Sequence, residues 1–363
     1  NEKRPIGKAT YKKRIIAGIN HEICGRRMIM NNKTIIKVKN RGMFATLKNN
    51  AGILVVLLFL CILLTFLTDK FFTANNILSV LRQISINMYI AIGMSLVIIL
   101  GGIDLSVGKI VAMTGTLTVG FIVTQGMPIW AAIILGLLIG TATGFLSGLF
   151  IAKFNVPAFI VTMAMMNITN GVAYVYSGGR STRIQESFFV NIGTGYLFNV
   201  IPLPIVYMLI LIIIFSFLLN KTKFGAYIYA IGGNRESARL SGVPIFKVEV
   251  LIYTISGFLS AFAGIVLSSR MYSGQPSVGS GYELDAIAAC VLGGISMSGG
   301  KGLLSGTVIG AMVIGIISNG LNLLGVSSFW QLIVKGIIIL IAILIDTQKG
   351  GNGILRSFIK KNK

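Results

Sequence analysis

Apolar residues arrive along this chain in runs of about 20, separated by short stretches rich in charge, glycine or proline. About 20 helical residues cover a hydrocarbon core of about 30 Å. The runs therefore predict ten membrane-crossing helices, near 51–68, 84–101, 105–124, 129–152, 156–177, 203–219, 248–269, 285–298, 303–324 and 329–346. The eighth, 285–298, is short and Gly-rich and is predicted to be a broken or re-entrant helix. Such a helix is tolerated only where protein or a water-filled path surrounds it. The expected fold class is an all-α integral membrane protein with about ten transmembrane helices.

Composition strengthens this reading. Of 363 residues, 54% are hydrophobic and 12% charged, against about a quarter charged in an ordinary soluble domain. The formal net charge of +22 does not point to nucleic acid, because of where it sits. Residues 1–50 hold thirteen Lys or Arg against Glu2 and Glu22, half of the total. The rest lies mainly in short connections and in the C-terminal Lys349, Arg356, Lys360, Lys361 and Lys363. That is the positive-inside pattern, with some attraction to anionic lipid heads. It predicts both termini cytoplasmic, a cytoplasmic loop 220–247 bearing Lys221, Lys223, Arg235, Arg239 and Lys247, and outside connections 178–202 and 270–284.

The chain is thus divided into a basic tail (1–50), a membrane domain (51–346) and a second basic tail (347–363). Residues 1–27 lack apolar periodicity and precede Met28 and Met30, so translation is expected to start at one of these methionines. Cys24, Cys61, Cys290 and His21 are too scattered for a metal site or a disulfide framework, and no metal is expected.

Laid against itself at an offset of 192, the chain shows an internal repeat. Leu100-Gly-Gly-Ile-Asp-Leu-Ser-Val-Gly-Lys109 matches Leu292-Gly-Gly-Ile-Ser-Met-Ser-Gly-Gly-Lys301 at seven of ten positions. Both copies fall at the cytoplasmic end of a span, so the repeat is expected to be parallel, with a substrate site near the axis relating the copies. Gly136, Gly140, Gly144 and Gly148 stand at small-xxx-small spacing, a pattern for close helix packing. The Gly293–Gly302 stretch lacks the spacing and the Ser or Thr of a phosphate loop, so no nucleotide site is assigned.

Few polar side chains stand near the spans. Asp104 reads as a cap accepting helix-end amides and equally as a path residue. Tyr282, Glu283 and Asp285 open the eighth span, and helix starts beside a path are favoured ligand sites in transporters. Asn87, Asn167, Asn170, Asn319, Asn322 and Gln331 place amides in apolar runs, where they either bind sugar hydroxyls weakly or tie helices together. Lys335 is a charge inside the last span and is expected to pair with an acid or face water.

In the loop, Asn234 is predicted to cap a short helix that Gly242 and Pro244 end, with Ala238, Leu240 and Val243 as its apolar edge. A helix of this kind suits docking into a partner's groove; a helix lying on the surface is the alternative.

Gly232-Gly-Asn-x4-Arg239-Leu-Ser-Gly242, Gly101-Gly-Ile-Asp-Leu-Ser-Val-Gly108, Gly281-Tyr-Glu-Leu-Asp-Ala-Ile-Ala-Ala289 and Gly320-Leu-Asn-Leu-Leu-Gly-Val-Ser-Ser328 occur in this order. Together they resemble the permease subunits of bacterial ribose-type ABC importers, from about residue 71 to 346. The resemblance implies a ten-span chain of the bacterial cytoplasmic membrane that pairs with a second permease copy and carries no catalysis itself. It further implies an ABC ATPase subunit holding ATP and magnesium, and an extracytoplasmic sugar-binding protein delivering ribose. Asn234, Ala238, Arg239, Leu240, Ser241 and Gly242 would form the coupling segment seated on the ATPase. Two alternatives stand beside it. One is an ion-coupled secondary sugar transporter using Asp104, Glu283 and Lys335; the other is a same-family permease for xylose, autoinducer-2 or another small polyol.

Overall fold

A computed structural model describes residues 51–349. The basic N-terminal tail, the expected start at Met28 or Met30, and the C-terminal tail from residue 350 lie outside the described residues. The chain forms α1 (Ala51–Leu67), α2 (Ala74–Leu100), α3 (Val107–Val123), α4 (Ile129–Phe154) and α5 (Ala158–Ser177). A connection follows with β1 (Thr182–Arg183), α6 (Ser187–Thr194), β2 (Tyr196–Leu197) and β3 (Ile201–Pro202). Then come α7 (Leu203–Lys221), α8 (Lys223–Gly233), α9 (Arg235–Leu240), α10 (Ile245–Arg270), β4 (Ser273–Gly274), α11 (Tyr282–Leu292), α12 (Leu304–Leu323) and α13 (Ser328–Lys349).

By length and composition, six of the described helices can cross a membrane: α2, α4, α5, α7, α10 and α12. α1, α3 and the start of α13 are shorter apolar helices. Helices α2 and α10 are buried along most of their length, whereas α4, α5 and α7 turn large apolar side chains outward, among them Phe150, Val175, Ile213 and Phe217. A face of that kind is stable against lipid and unstable against water. The chain is a multi-pass, helical membrane protein.

Each expected span has a helix near it, with two instructive differences. The second begins at Ala74, ten residues earlier than hydropathy suggests. Asn75, Asn76, Arg82 and Gln83 break the apolar run, but Thr73 accepts the Asn76 amide at 3.4 Å and starts the helix. The eighth is the 11-residue α11, which at 1.5 Å per residue covers only about 16 Å.

The glycine row of α4 packs as its spacing predicts. A Cβ at Gly148 would lie 2.9 Å from the Val250 Cα, and one at Gly144 2.9 Å from the Gly257 Cα, so α4 and α10 meet backbone to backbone. Strand β1 pairs antiparallel with β4, Thr182 opposite Gly274 and Arg183 opposite Ser273. This ladder joins the two connections that charge counting places on one side of the membrane.

The two repeat copies touch. The Gly300 amide donates to the Ile99 carbonyl at 2.8 Å, and a Cβ at Gly299 would lie 3.0 Å from the Gly101 Cα. Cys290 on α11 lies beside Ser95 (3.4 Å) and the Ala91 carbonyl (3.6 Å) of α2. Helices α2 and α11 therefore run the same way and reach their Gly-Gly turns at one end, the parallel relation inferred from the repeat. Gly101 closes α2 at φ 98°, which a side chain would disfavour.

Candidate functional site

The turn after α2 does not lie flat at the end of the bundle. Gly93 packs on Ser256 of α10, where a Cβ would come within 3.1 Å of the Ser256 Cα. The Ser256 hydroxyl donates to Asp104 Oδ2 at 2.8 Å. Asp104 thus lies back beside Gly93, eight residues or about 12 Å up the helix from Gly101. Residues 102–105 form no regular element and fold back along α2, so α3 starts well inside the bundle.

The stretch before α11 repeats this device from the other end. A Cβ at Gly274 would stand 3.0 Å from the Gly115 carbonyl oxygen, and one at Gly279 3.0 Å from the Gly108 carbonyl carbon. The chain between them runs back along about two turns of α3 before α11 begins. The starts of α3 and α11 consequently meet partway along the bundle, where Lys109 Nζ donates to the exposed Ser280 Oγ at 2.7 Å.

One of the two acids at this junction is paired with a lysine. Asp285, 5% exposed, accepts from Lys335 of α13 at 2.8 Å, the partner expected for that lysine. Glu283 Oε1 accepts the Gly281 amide at 3.2 Å, while its enclosed Oε2 has no hydrogen-bond partner. Both acids stand in the first turn of α11, where the amide dipoles favour negative charge. Tyr282 is half-buried between these groups and the core.

Asp104 is fully buried. Its Oδ1 accepts the amide of Ser106 at 3.0 Å and the hydroxyl of Ser106 at 2.6 Å. It differs from the expected cap in one respect: the N-cap of α3 is Ser106, and Asp104 holds the turn leading into it. Its third bond, to Ser256, makes it a clasp between that turn and α10.

The amides divide. Asn319 exchanges two hydrogen bonds with Asn76, at 2.8 and 3.1 Å, and Asn322 accepts from Gln331 at 2.7 Å. These two contacts join α12 to α2 and α13. Asn87 is half-buried on α2; Asn167 is exposed on α5 and donates to the Met163 carbonyl at 3.2 Å. Asn170 is half-buried, with an enclosed oxygen that has no partner.

At the far end, Asn234 caps α9 by accepting the Ser237 amide at 2.8 Å. The helix ends at Leu240, Ser241 returns its hydroxyl to the Ser237 carbonyl at 2.8 Å, and Gly242 turns the chain at φ 79°. The expected apolar edge is split: Ala238 is buried in this chain's own core, whereas Leu240 is 82% exposed. Arg239 pairs with Glu236 at the surface. A second helix, α8, fills the earlier part of the loop, where only α9 is predicted.

One acid is not among the residues singled out from the sequence. Glu249, 3% exposed near the start of α10, binds the guanidinium of Arg235 through both carboxylate oxygens. An acid inside an apolar run demands a partner, and that signal was present in the span 248–269. Among the described residues, no group of three or more His, Cys, Asp or Glu is gathered for a metal.

The fold is that of a mainly helical membrane domain in which α3 and the short α11 start side by side and a separate capped helix stands at one end, and the family comparison makes it a transport protein. Residues 76–343 match the family described as branched-chain amino acid transport system / permease component, and the chain belongs to that family. It is 44% identical to the ribose import permease protein RbsC of Haemophilus influenzae, over 82% of this chain and 92% of that protein. It is 48% identical to the RbsC of Bacillus subtilis, over 81% and 91% respectively. The L-arabinose transport system permease protein AraH of Escherichia coli is 40% identical, over 86% of this chain and 94% of its own. No solved structure matches.

Proposed function

We propose that this chain is the permease subunit of an ATP-driven importer and translocates a monosaccharide, D-ribose, that an extracytoplasmic binding protein delivers. The observation carrying this reading is identity of 44–48% to ribose import permeases along more than nine-tenths of their length. Ten crossings of the bacterial cytoplasmic membrane, both termini cytoplasmic, bring α9 to the inner face. There the exposed Leu240 and the Asn234–Gly242 segment seat on an ABC ATPase subunit, which holds ATP and magnesium.

Two permease copies enclose the path, with the adjoining starts of α3 and α11 beside it. Glu283, Lys109 and neighbouring amides offer single hydrogen bonds to sugar hydroxyls, enough for passage because the binding protein supplies the affinity. Rocking of the helices between two states then exposes the path to each side in turn. The L-arabinose relatives at 40% identity favour a second reading, the same machine with arabinose as cargo.

The test is uptake of labelled ribose and arabinose by proteoliposomes holding the full complex. Ribose uptake that requires ATP and the binding protein and ignores an uncoupler is expected. Uptake persisting without ATP but abolished by an uncoupler would overturn the proposal in favour of an ion-coupled transporter.

A further inference from the structure

Beyond the seat itself, something must carry motion of α9 into the interior, and one side chain is placed to do so. Arg235, the first residue of α9, is 48% exposed yet grips two other helices. Its guanidinium forms a two-pronged bond with Glu249 of α10, the second prong at 3.0 Å, and reaches the side-chain oxygen of Asn155 at 3.4 Å. Asn155 closes α4 in the left-handed conformation at φ 52°. Helices α4 and α10 are the pair locked together through Gly144 and Gly257. Arg235 therefore holds both members of one rigid unit at the same end.

Glu249 starts a line of contacts along α10. Tyr253, four residues on, has its hydroxyl against Gly102, and Ser256, three further, donates to Asp104. Residues at such spacing share one face of a helix. The same face thus carries Arg235 at one end and the turn leading into α3 at the other. An open pocket of about 350 Å³ lined by Gly101, Gly102, Asn155, Arg235, Glu249 and Tyr253 lies beside the link.

We propose that the Arg235–Glu249 bond, steadied by Asn155, is the link through which α9 drives the α4–α10 unit and so the Asp104 turn. Glu249 is then a positioning residue for translocation, separate from the surface on which the ATPase sits. This rests on the reading of the chain as an ATP-driven permease with α9 as its seat.

The experiment compares wild type, Glu249→Gln, Arg235→Lys and the exchanged pair R235E/E249R in the full complex in proteoliposomes. Three quantities are read: co-purification of the ATPase, ATP hydrolysis stimulated by the loaded binding protein, and ribose taken up per ATP consumed. Glu249→Gln is expected to keep the first two and to lower uptake per ATP by roughly fivefold or more. Arg235→Lys, which keeps the charge but not the fork, should fall between, and the exchanged pair should recover part of the loss. If Glu249→Gln proves too unstable to purify, Asn155→Gly carries the same three measurements; it lies outside the seat, keeps the left-handed turn and removes the third partner.

Unchanged uptake per ATP in the variants overturns the link. So does parallel loss of ATPase co-purification, which would place Glu249 in the seat. Absence of ATP-dependent uptake in wild type is a different failure, that of the permease reading itself.

Discussion

Replacing Gly144 by alanine probes the α4–α10 seam directly. The new Cβ would stand 2.9 Å from the Gly257 Cα and 3.0 Å from its amide nitrogen, and nearer still to the Tyr253 carbonyl oxygen. Carbon atoms pack best at about 3.5–4.0 Å, so the helices must part by about 0.6–1 Å. Every obstructing atom is backbone, and no rotamer change can relieve the contact. Parting at Gly144 also loosens Gly140 and Gly148, which press on the same helix. Overpacking of this kind costs about 1–3 kcal/mol, and backbone on both sides places the change near the upper end.

Alanine recovers about 1 kcal/mol of helix preference, leaving a net loss of about 2 kcal/mol. Melting of the purified protein in detergent, followed by size-exclusion fluorescence, should show a fall of about 5 °C. Gly171 on α5 is the control, since a Cβ there meets nothing within 4 Å. Gly171→Ala should melt at or above the wild-type temperature. If Gly144→Ala melts as high as Gly171→Ala, the argument from close approach fails.

Asp104→Ala removes the acceptor of three buried hydrogen bonds, so uptake should fall at least about tenfold, one hydrogen bond alone being worth about 1 kcal/mol. Normal uptake by that variant would leave Asp104 without a role in the path or its support. Lys335→Met strands Asp285 as an unpaired buried charge and should destabilise by about 3 kcal/mol. Adding Asp285→Leu should restore most of the melting temperature, and failure to do so would mean that the pair has other tasks. Asn319→Ala removes an interhelical tie worth about 0.6 kcal/mol, with uptake unaffected; a large uptake defect at normal stability would return Asn319 to the path. Leu240→Asp should abolish co-purification of the ATPase while leaving the melting temperature within about 1 °C, since the side chain is exposed. Retained ATPase would move the seat elsewhere.

Much of this protein follows from sequence because hydrocarbon imposes a local rule. A helix in lipid must satisfy its own backbone within one continuous apolar stretch, so runs of Leu, Ile and Val announce themselves without reference to neighbours. The Gly136–Gly148 row, the Asn234 cap, the repeat at Gly101 and Gly293, and the need of Lys335 for an acid are legible for the same reason, each being a local pattern or a debt with a forced solution.

Tertiary structure decided how the debts were settled. Asp285 rather than Glu283 takes Lys335, the Asn319 and Asn322 amides are spent between helices, and Arg235 reaches across to Glu249. The folding back of residues 102–105 and 274–279 brings the starts of α3 and α11 together partway along the bundle. No periodicity records that meeting, because turns and irregular chain carry no run to read and the contacts at Gly108, Gly279 and Ser280 join residues about 170 positions apart. Sequence by itself determined which segments enter the membrane and what each polar group must find there; only packing of one helix on another chose the partner.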